Sequence, residues 1–177
     1  AITSAWAGSG SHVLQNLVVT AHDNAIRISN GSAQTFRNLV VTSAIGNGIE
    51  TEYNAIGAHV FENVQIQSNR EGIKLASGGP LSFKNVIVTS SGAKGIEIGY
   101  NTSGSHVFED VTVTSHTNGI EVNTGAAASF MNVTVQSTTG NGIHLNYSAD
   151  GGHTFRNIKI SAAREGLIAV RGATLIR

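Results

Sequence analysis

The stretch Ser82-Phe83-Lys84-Asn85-Val86-Ile87-Val88-Thr89-Ser90, followed shortly by Lys94-Gly95-Ile96-Glu97-Ile98, decides the fold. Apolar and polar residues alternate with a period of two, β-branched residues dominate, and turn residues separate the two runs. That is the signature of two short strands, with no helical spacing. The pattern then recurs along the whole chain. All six Phe fall in one series, Phe36, Phe61, Phe83, Phe108, Phe130 and Phe155, with Leu14 in the same place at the front. The steps from Leu14 onward are 22, 25, 22, 25, 22 and 25 residues, so a short and a long unit alternate with a super-repeat of 47. That shift also aligns His12, His59, His106 and His153, and it aligns Trp6, Tyr53, Tyr100 and Tyr147.

Two further columns accompany the Phe series. Two residues after each Phe stands Asn16, Asn38, Asn63, Asn85, Asp110, Asn132 or Asn157, which suits a bend where stacked amides bond to one another. Ahead of each second strand stands Ala25, Gly48, Gly72, Gly95, Gly119, Gly142 or Gly166, which suits a backbone needing positive φ. A coil of this length cannot bury its apolar side alone. Stacked coils can, because each pairs with those above and below at ~4.8 Å and equivalent residues pile into columns. The single Pro agrees with a backbone whose N–H groups nearly all pair between coils.

These repeats, through motifs such as Ser82-Phe83-Lys84-Asn85-Val86 and Lys94-Gly95-Ile96-Glu97-Ile98, resemble the right-handed parallel β-helices of the pectate-lyase-like superfamily, which also carry an asparagine column. The resemblance covers nearly the whole chain. It implies an all-β fold: one β-solenoid domain over residues 1–177, with about seven coils of alternating 22 and 25 residues and no evident caps. It also implies an extracellular or cell-surface location. It says little about function, because such folds host lyases, hydrolases, epimerases, adhesins and inert shafts.

Composition narrows the function classes. Eleven basic and eleven acidic residues cancel, and only 12% of residues are charged, which argues against nucleic acid or an anionic membrane as partner. Cys is absent, which excludes disulfides, zinc–thiolate sites and thiol catalysis within this chain. No apolar run is long enough for membrane insertion. Only three Asp are present, Asp23, Asp110 and Asp150, and they belong to different columns, so no Asp cluster of the kind used on acidic polysaccharides forms. No cofactor and no metal are expected.

One outward column carries the candidate chemistry: Arg27, Glu50, Lys74, Glu97, Glu121, His144, Ile168. Its first half alternates in sign and reads as ion pairs between coils, as does a second column of Gln15, Arg37, Glu62, Lys84, Glu109, Met131 and Arg156. Glu97 and Glu121 then fall on adjacent coils beside His144. They are candidate acid/base groups or ligands, against the plainer reading of a solvated polar face. Trp6, Tyr53, Tyr100 and Tyr147 recur every second coil and are candidate carbohydrate-binding rings. Against this, their parity matches inward Ile49, Thr51 and Phe61, which favours Tyr and His packed together in a widened corner. Candidate N-glycosylation sites are Asn30, Asn101 and Asn146. Asn132 also begins a sequon but is discounted as part of an inward column.

A flat outer face is expected from two rows. One is Val18, Val40, Gln65, Ile87, Thr112, Thr134 and Lys159; the other is Thr20, Thr42, Gln67, Thr89, Thr114, Gln136 and Ser161. Thr rows also suit ice binding, but Gln and Lys interrupt them. Ala1-Ile2 corresponds to Gly48-Ile49, and Leu175-Ile176-Arg177 still follows the strand pattern, so open coils at both ends are expected. The first expectation for function is an extracellular structural solenoid whose main partner is itself, stacked head to tail into a fibre or continued as a cell-surface shaft. The alternatives are a polysaccharide-binding or adhesin module, and a polysaccharide lyase, hydrolase or epimerase.

Overall fold

The alternation in each repeat becomes two strands, and the repeats stack them into two parallel sheets. A computed structural model describes residues 1–4, 11–31, 33–55, 57–124, 126–146, 152–169 and 173–175. Of Ser4, Asn30, Gly31, Tyr53, Asn54 and residues 173–175 it describes only the backbone. One sheet holds, in order, β1 (Ile2–Ser4), β3 (Ile26–Gly31), β5 (Ile49–Ala55), β7 (Ile73–Gly78), β9 (Ile96–Thr102), β11 (Ile120–Val122), β13 (Ile143–Leu145) and β15 (Leu167–Ala169). The other holds β2 (His12–Ala21), β4 (Gln34–Ser43), β6 (His59–Ser68), β8 (Leu81–Ser90), β10 (His106–Ser115), β12 (Ala128–Ser137), β14 (His153–Ala162) and β16 (Ala173–Leu175). Every strand pairs in parallel with the equivalent strand of the next coil, so the chain is a β-solenoid.

The Phe column is the axis of the core. Successive rings from Phe36 to Phe155 stack at 4.7, 4.8, 4.7, 4.6 and 5.0 Å, within 12° of parallel. That spacing is imposed by the strand ladder, and all six rings are fully buried. Each contributes roughly 1.5–3 kcal/mol through burial. Around the stack run Ile26, Ile49, Ile73, Ile96, Ile120 and Ile143 from the first sheet, and Leu39, Val64, Val86, Val111 and Val133 from the second.

The two turn columns exchange roles relative to the sequence expectation. All seven members of the Asn column, not the glycines, take positive φ, between 52° and 56°. Asn and Asp tolerate this region best among residues with a Cβ. The left-handed residue bends each ten-residue strand at its middle and resets the alternation, which is why Phe108 and Val111, three apart, both point inward. The column is solvent-exposed, not inward. Its amides form the expected ladder: Asn38 Nδ2 donates to Asn16 Oδ1 at 2.9 Å, Asn63 to Asn38 at 3.0 Å, Asn85 to Asn63 at 2.9 Å, Asn132 to Asp110 at 2.8 Å and Asn157 to Asn132 at 3.0 Å. The glycine column is steric instead. A Cβ on Gly95 would sit 2.1 Å from Val113 Cγ1 and 2.6 Å from the Gly119 carbonyl oxygen, and Gly48, Gly72, Gly119 and Gly142 are equally closed.

Asn63→Ala tests the bend. Ala keeps the strained φ but loses both ladder bonds, so a stability loss of about 1–3 kcal/mol is expected in urea unfolding. Asn63→Gly, which relieves φ but makes no ladder bond, is expected to lose less. Equal losses would mean that the amide ladder dominates and the backbone conformation contributes little.

A buried Ser column, which the sequence reading did not single out, closes the next turn. Ser43 Oγ donates to the Asp23 carbonyl at 2.7 Å and Ser90 Oγ to that of Arg70 at 2.5 Å; Ser137 does the same to Thr117. The flat face forms as expected: Val18, Val40, Gln65, Ile87, Thr112, Thr134 and Lys159 pair in register along the second sheet.

Candidate functional site

The outward column of the first sheet stacks in the expected register: Arg27 beside Glu50, then Lys74, Glu97, Glu121, His144 and Ile168. Its partners differ from the expected ones at the start. Arg27 pairs with Glu52, two residues further along the strand, through Nε at 2.7 Å and through a guanidinium N–H. Glu50 instead accepts from Asn24 Nδ2 at 2.7 Å and lies 3.7 Å from Lys74 Nζ. In the second charged column Arg37 pairs with Glu62 at 2.8 Å and Lys84 with Glu109 at 3.5 Å.

Glu97 and Glu121 do sit side by side. Their repulsion is cancelled by Lys94, whose Nζ lies 2.8 Å from Glu97 Oε1 and 2.6 Å from Glu121 Oε1. Lys94 precedes Gly95 in the turn and so was not read as a neighbour of this column. Glu121 is the most enclosed carboxylate of the column, 8% exposed, and also accepts from Asn118 Nδ2 at 2.5 Å and Asn123 Nδ2 at 3.1 Å. Burial alone would push this carboxyl up, but the bonds from Lys94, Asn118 and Asn123 outweigh it and hold the group below the usual carboxylate range. Burial would likewise lower Lys94, and its bonds to Glu121 and Glu97 raise it instead. His144 lies next to Glu121 in register, with its Nδ1 buried and without a hydrogen-bond partner. Among the described residues, no three His, Asp or Glu converge closely enough to hold a metal ion.

Lys94→Met is expected to cost about 1–3 kcal/mol in thermal or urea unfolding, because it strands the enclosed Glu121 carboxylate beside Glu97. The Glu121 carboxyl should then titrate above the usual range, readable by NMR. A Glu121 titration that does not move would refute this account of the network.

The buried His residues and Tyr100 separate. His59, His106 and His153 are wholly buried in the second sheet's first inward row, where Gln34, Leu81 and Ala128 occupy the intervening coils. His59 Nε2 lies 3.2 Å from the Ala55 carbonyl, and His153 Nδ1 accepts the Ala128 N–H at 3.2 Å. The His106 ring touches Thr102 Oγ1 at 3.5 Å, with its Nδ1 buried and without a hydrogen-bond partner. Burial, helped by nearby His153, pushes the His106 imidazole down to about 4. Burial also lowers His59.

Tyr100, in contrast, is 67% exposed, so it does not pack inward with His. The cause is a β-bulge. Between β7 and β9 the register runs Leu75 with Ile98, then Ser77 with Asn101, so Ala76 alone faces Gly99 and Tyr100. One extra residue inverts the side-chain alternation and turns Tyr100 out. The same shift recurs between β3 and β5, where Ser29 alone faces Glu52 and Tyr53. In these two long coils the bulge supplies one of the three additional residues.

Beside Tyr100 lies a groove of about 350 Å³ on the first sheet, bordered by Lys74, Glu97, Asn101 and Asn123 and floored by Ala76 and Gly99. No family model matches this chain, and no curated protein or solved structure matches it.

Of the remaining candidates, Asn101 is exposed, as a glycosylation acceptor requires. Asn146 is half-buried and donates its amide to Asn123. Asn132 belongs to the exposed ladder, so the inward placement used to discount it is corrected, although its amide is bonded on both sides. Trp6 and Tyr147 lie outside the described residues, as do the side chains of Tyr53 and Asn30.

Proposed function

We propose that the protein serves as an extracellular structural rod, its coils continuing head to tail into a fibre or a cell-surface shaft. The observation that carries this is the translational stack. Phe rings and strand ladders repeat from coil to coil at one spacing, Asn amides link the coils on either side of a gap between Asn85 and Asp110, and the charged columns alternate or are neutralised in place. Such a stack presents at each level the same pairing surface that the level below has just used, which is the geometry of a heterologous, non-closing contact. The enclosed Glu97–Lys94–Glu121 network also supports a structural role, since its carboxylates are engaged with one another's counterion. Extracellular placement rests on the resemblance of the repeats to the pectate-lyase-like β-helices.

Sedimentation and electron microscopy over a concentration series test the proposal. Particles that lengthen with concentration at constant width are expected. A uniform 18.4 kDa monomer at every concentration would overturn head-to-tail association.

A further inference from the structure

The rod reading gives no task to the groove beside Tyr100, and three observations bear on it. The first is its size, about 350 Å³, within the roughly 300–1,000 Å³ of small-molecule sites. The second is its origin. Two residues beyond the charged column, successive coils carry Ser29, Glu52, Ala76, Gly99, Asn123 and Asn146. Only at Ala76 and Gly99 do two adjacent coils both lack a polar side chain there. At the position equivalent to Gly99 one super-repeat earlier, Glu52 is present and is tied to Arg27. The groove is thus a local departure from the repeat and not a product of it. The third is the bulge, which turns the Tyr100 ring out of the core at the edge of this opening and leaves Asn101 exposed beside it.

The chemistry of the rim selects the ligand. An exposed phenol ring offers an apolar face with a polar tip. The Glu97 carboxylate accepts hydrogen bonds, the Lys74 ammonium donates them, and the Asn101 amide does both. The lining holds one cation, Lys74, which lies by Glu50, and one carboxylate, Glu97, which is held by Lys94, so the groove has no net charge to favour an anion. A flat ring with an apolar C–H face and a fringe of neutral hydroxyls satisfies all of these groups together. We propose that the groove bordered by Lys74, Glu97, Tyr100 and Asn101 binds a neutral saccharide, with the sugar ring stacked on Tyr100 and its hydroxyls on the carboxylate and amide.

The site is tested on the intact chain by NMR amide shifts during titration with cellotriose, maltotriose, xylotriose and, as an anionic comparator, trigalacturonate. Shifts confined to Ala76, Gly99, Tyr100 and Asn101 with at least one neutral sugar are expected. Tyr100→Ala should weaken that binding about tenfold, the scale of one aromatic contact, while Tyr100→Phe retains it. Ala76→Gln should fill the groove and abolish binding without unfolding the chain, since the equivalent positions elsewhere carry Glu52 and Asn123. A lack of response to all three neutral sugars, binding that survives Tyr100→Ala and Ala76→Gln, or tighter binding of trigalacturonate would each overturn the proposal.

Discussion

Phe108→Ala is expected to lower the unfolding free energy by about 3–5 kcal/mol. Phe108 is wholly buried and sits between Phe83 at 4.7 Å and Phe130 at 4.6 Å. Both neighbouring coils are held at fixed spacing by ten-residue ladders, so they cannot close on the space left behind. The cavity term therefore adds to the lost transfer energy. Phe108→Leu is a graded control. Leu14 already fills this column in the first coil, so the cost should stay under about 2 kcal/mol. Leu14→Ala, at a half-buried position with stacking on one side only, should fall between no effect and that of Phe108→Ala. Guanidinium unfolding followed by far-UV circular dichroism measures all three. Equal losses for Ala and Leu at position 108 would show that the ring stack is not what the core depends on.

The second large effect is on pH. The His106 imidazole is held near 4 in the folded chain against an ordinary 6.5. Its folded value is depressed, so the folded state binds fewer protons than the unfolded one between these limits. Stability should be full above pH 6.5, fall as the pH drops and level off below 4, a loss of roughly 3 kcal/mol from this residue. His59, lowered by burial as well, adds in the same direction. Its ring shares the inward row with Leu81, a coil away on the ladder. Leu81 occupies the equivalent position in that intervening coil, so His106→Leu should fold and should flatten the decline. The carboxylates act in a lower window. Glu121 lies below its ordinary 4.5, so its contribution is present above that pH and is lost as the pH falls through the lower folded value. A stability profile flat from pH 7 to 5 in the wild-type chain would contradict a buried neutral His106.

Much of this architecture was legible in the sequence because stacking is itself periodic. Residues 22 and 25 apart meet in space, so the spacing of Phe36 to Phe155 is at once a sequence fact and a map of contacts. The register of the Arg27 to Ile168 column follows for the same reason. Three features did not follow. Residue type alone placed the strained φ on the glycine column, where the chain uses the Asn column instead and Gly95 allows a close approach of Val113 and a neighbouring carbonyl. Lys94 is one residue outside the strand that it serves, so column reading missed the ion that joins Glu97 and Glu121. Parity counting placed Tyr100 inward because it assumed an unbroken alternation through the long-coil corner.

The amino-acid sequence by itself determined the parallel stack, the ring core and the amide ladder, since each depends only on which residue types recur at which interval. Tertiary structure decided what happens between the columns. Whether a side chain at the corner is buried or exposed depends on a single bulged residue, and whether a carboxylate is free or engaged depends on a Lys reaching across coils. Those outcomes turn on ångström-scale geometry, which composition and period do not carry. The groove at Tyr100 arises there, where two small residues on adjacent coils coincide with a bulge.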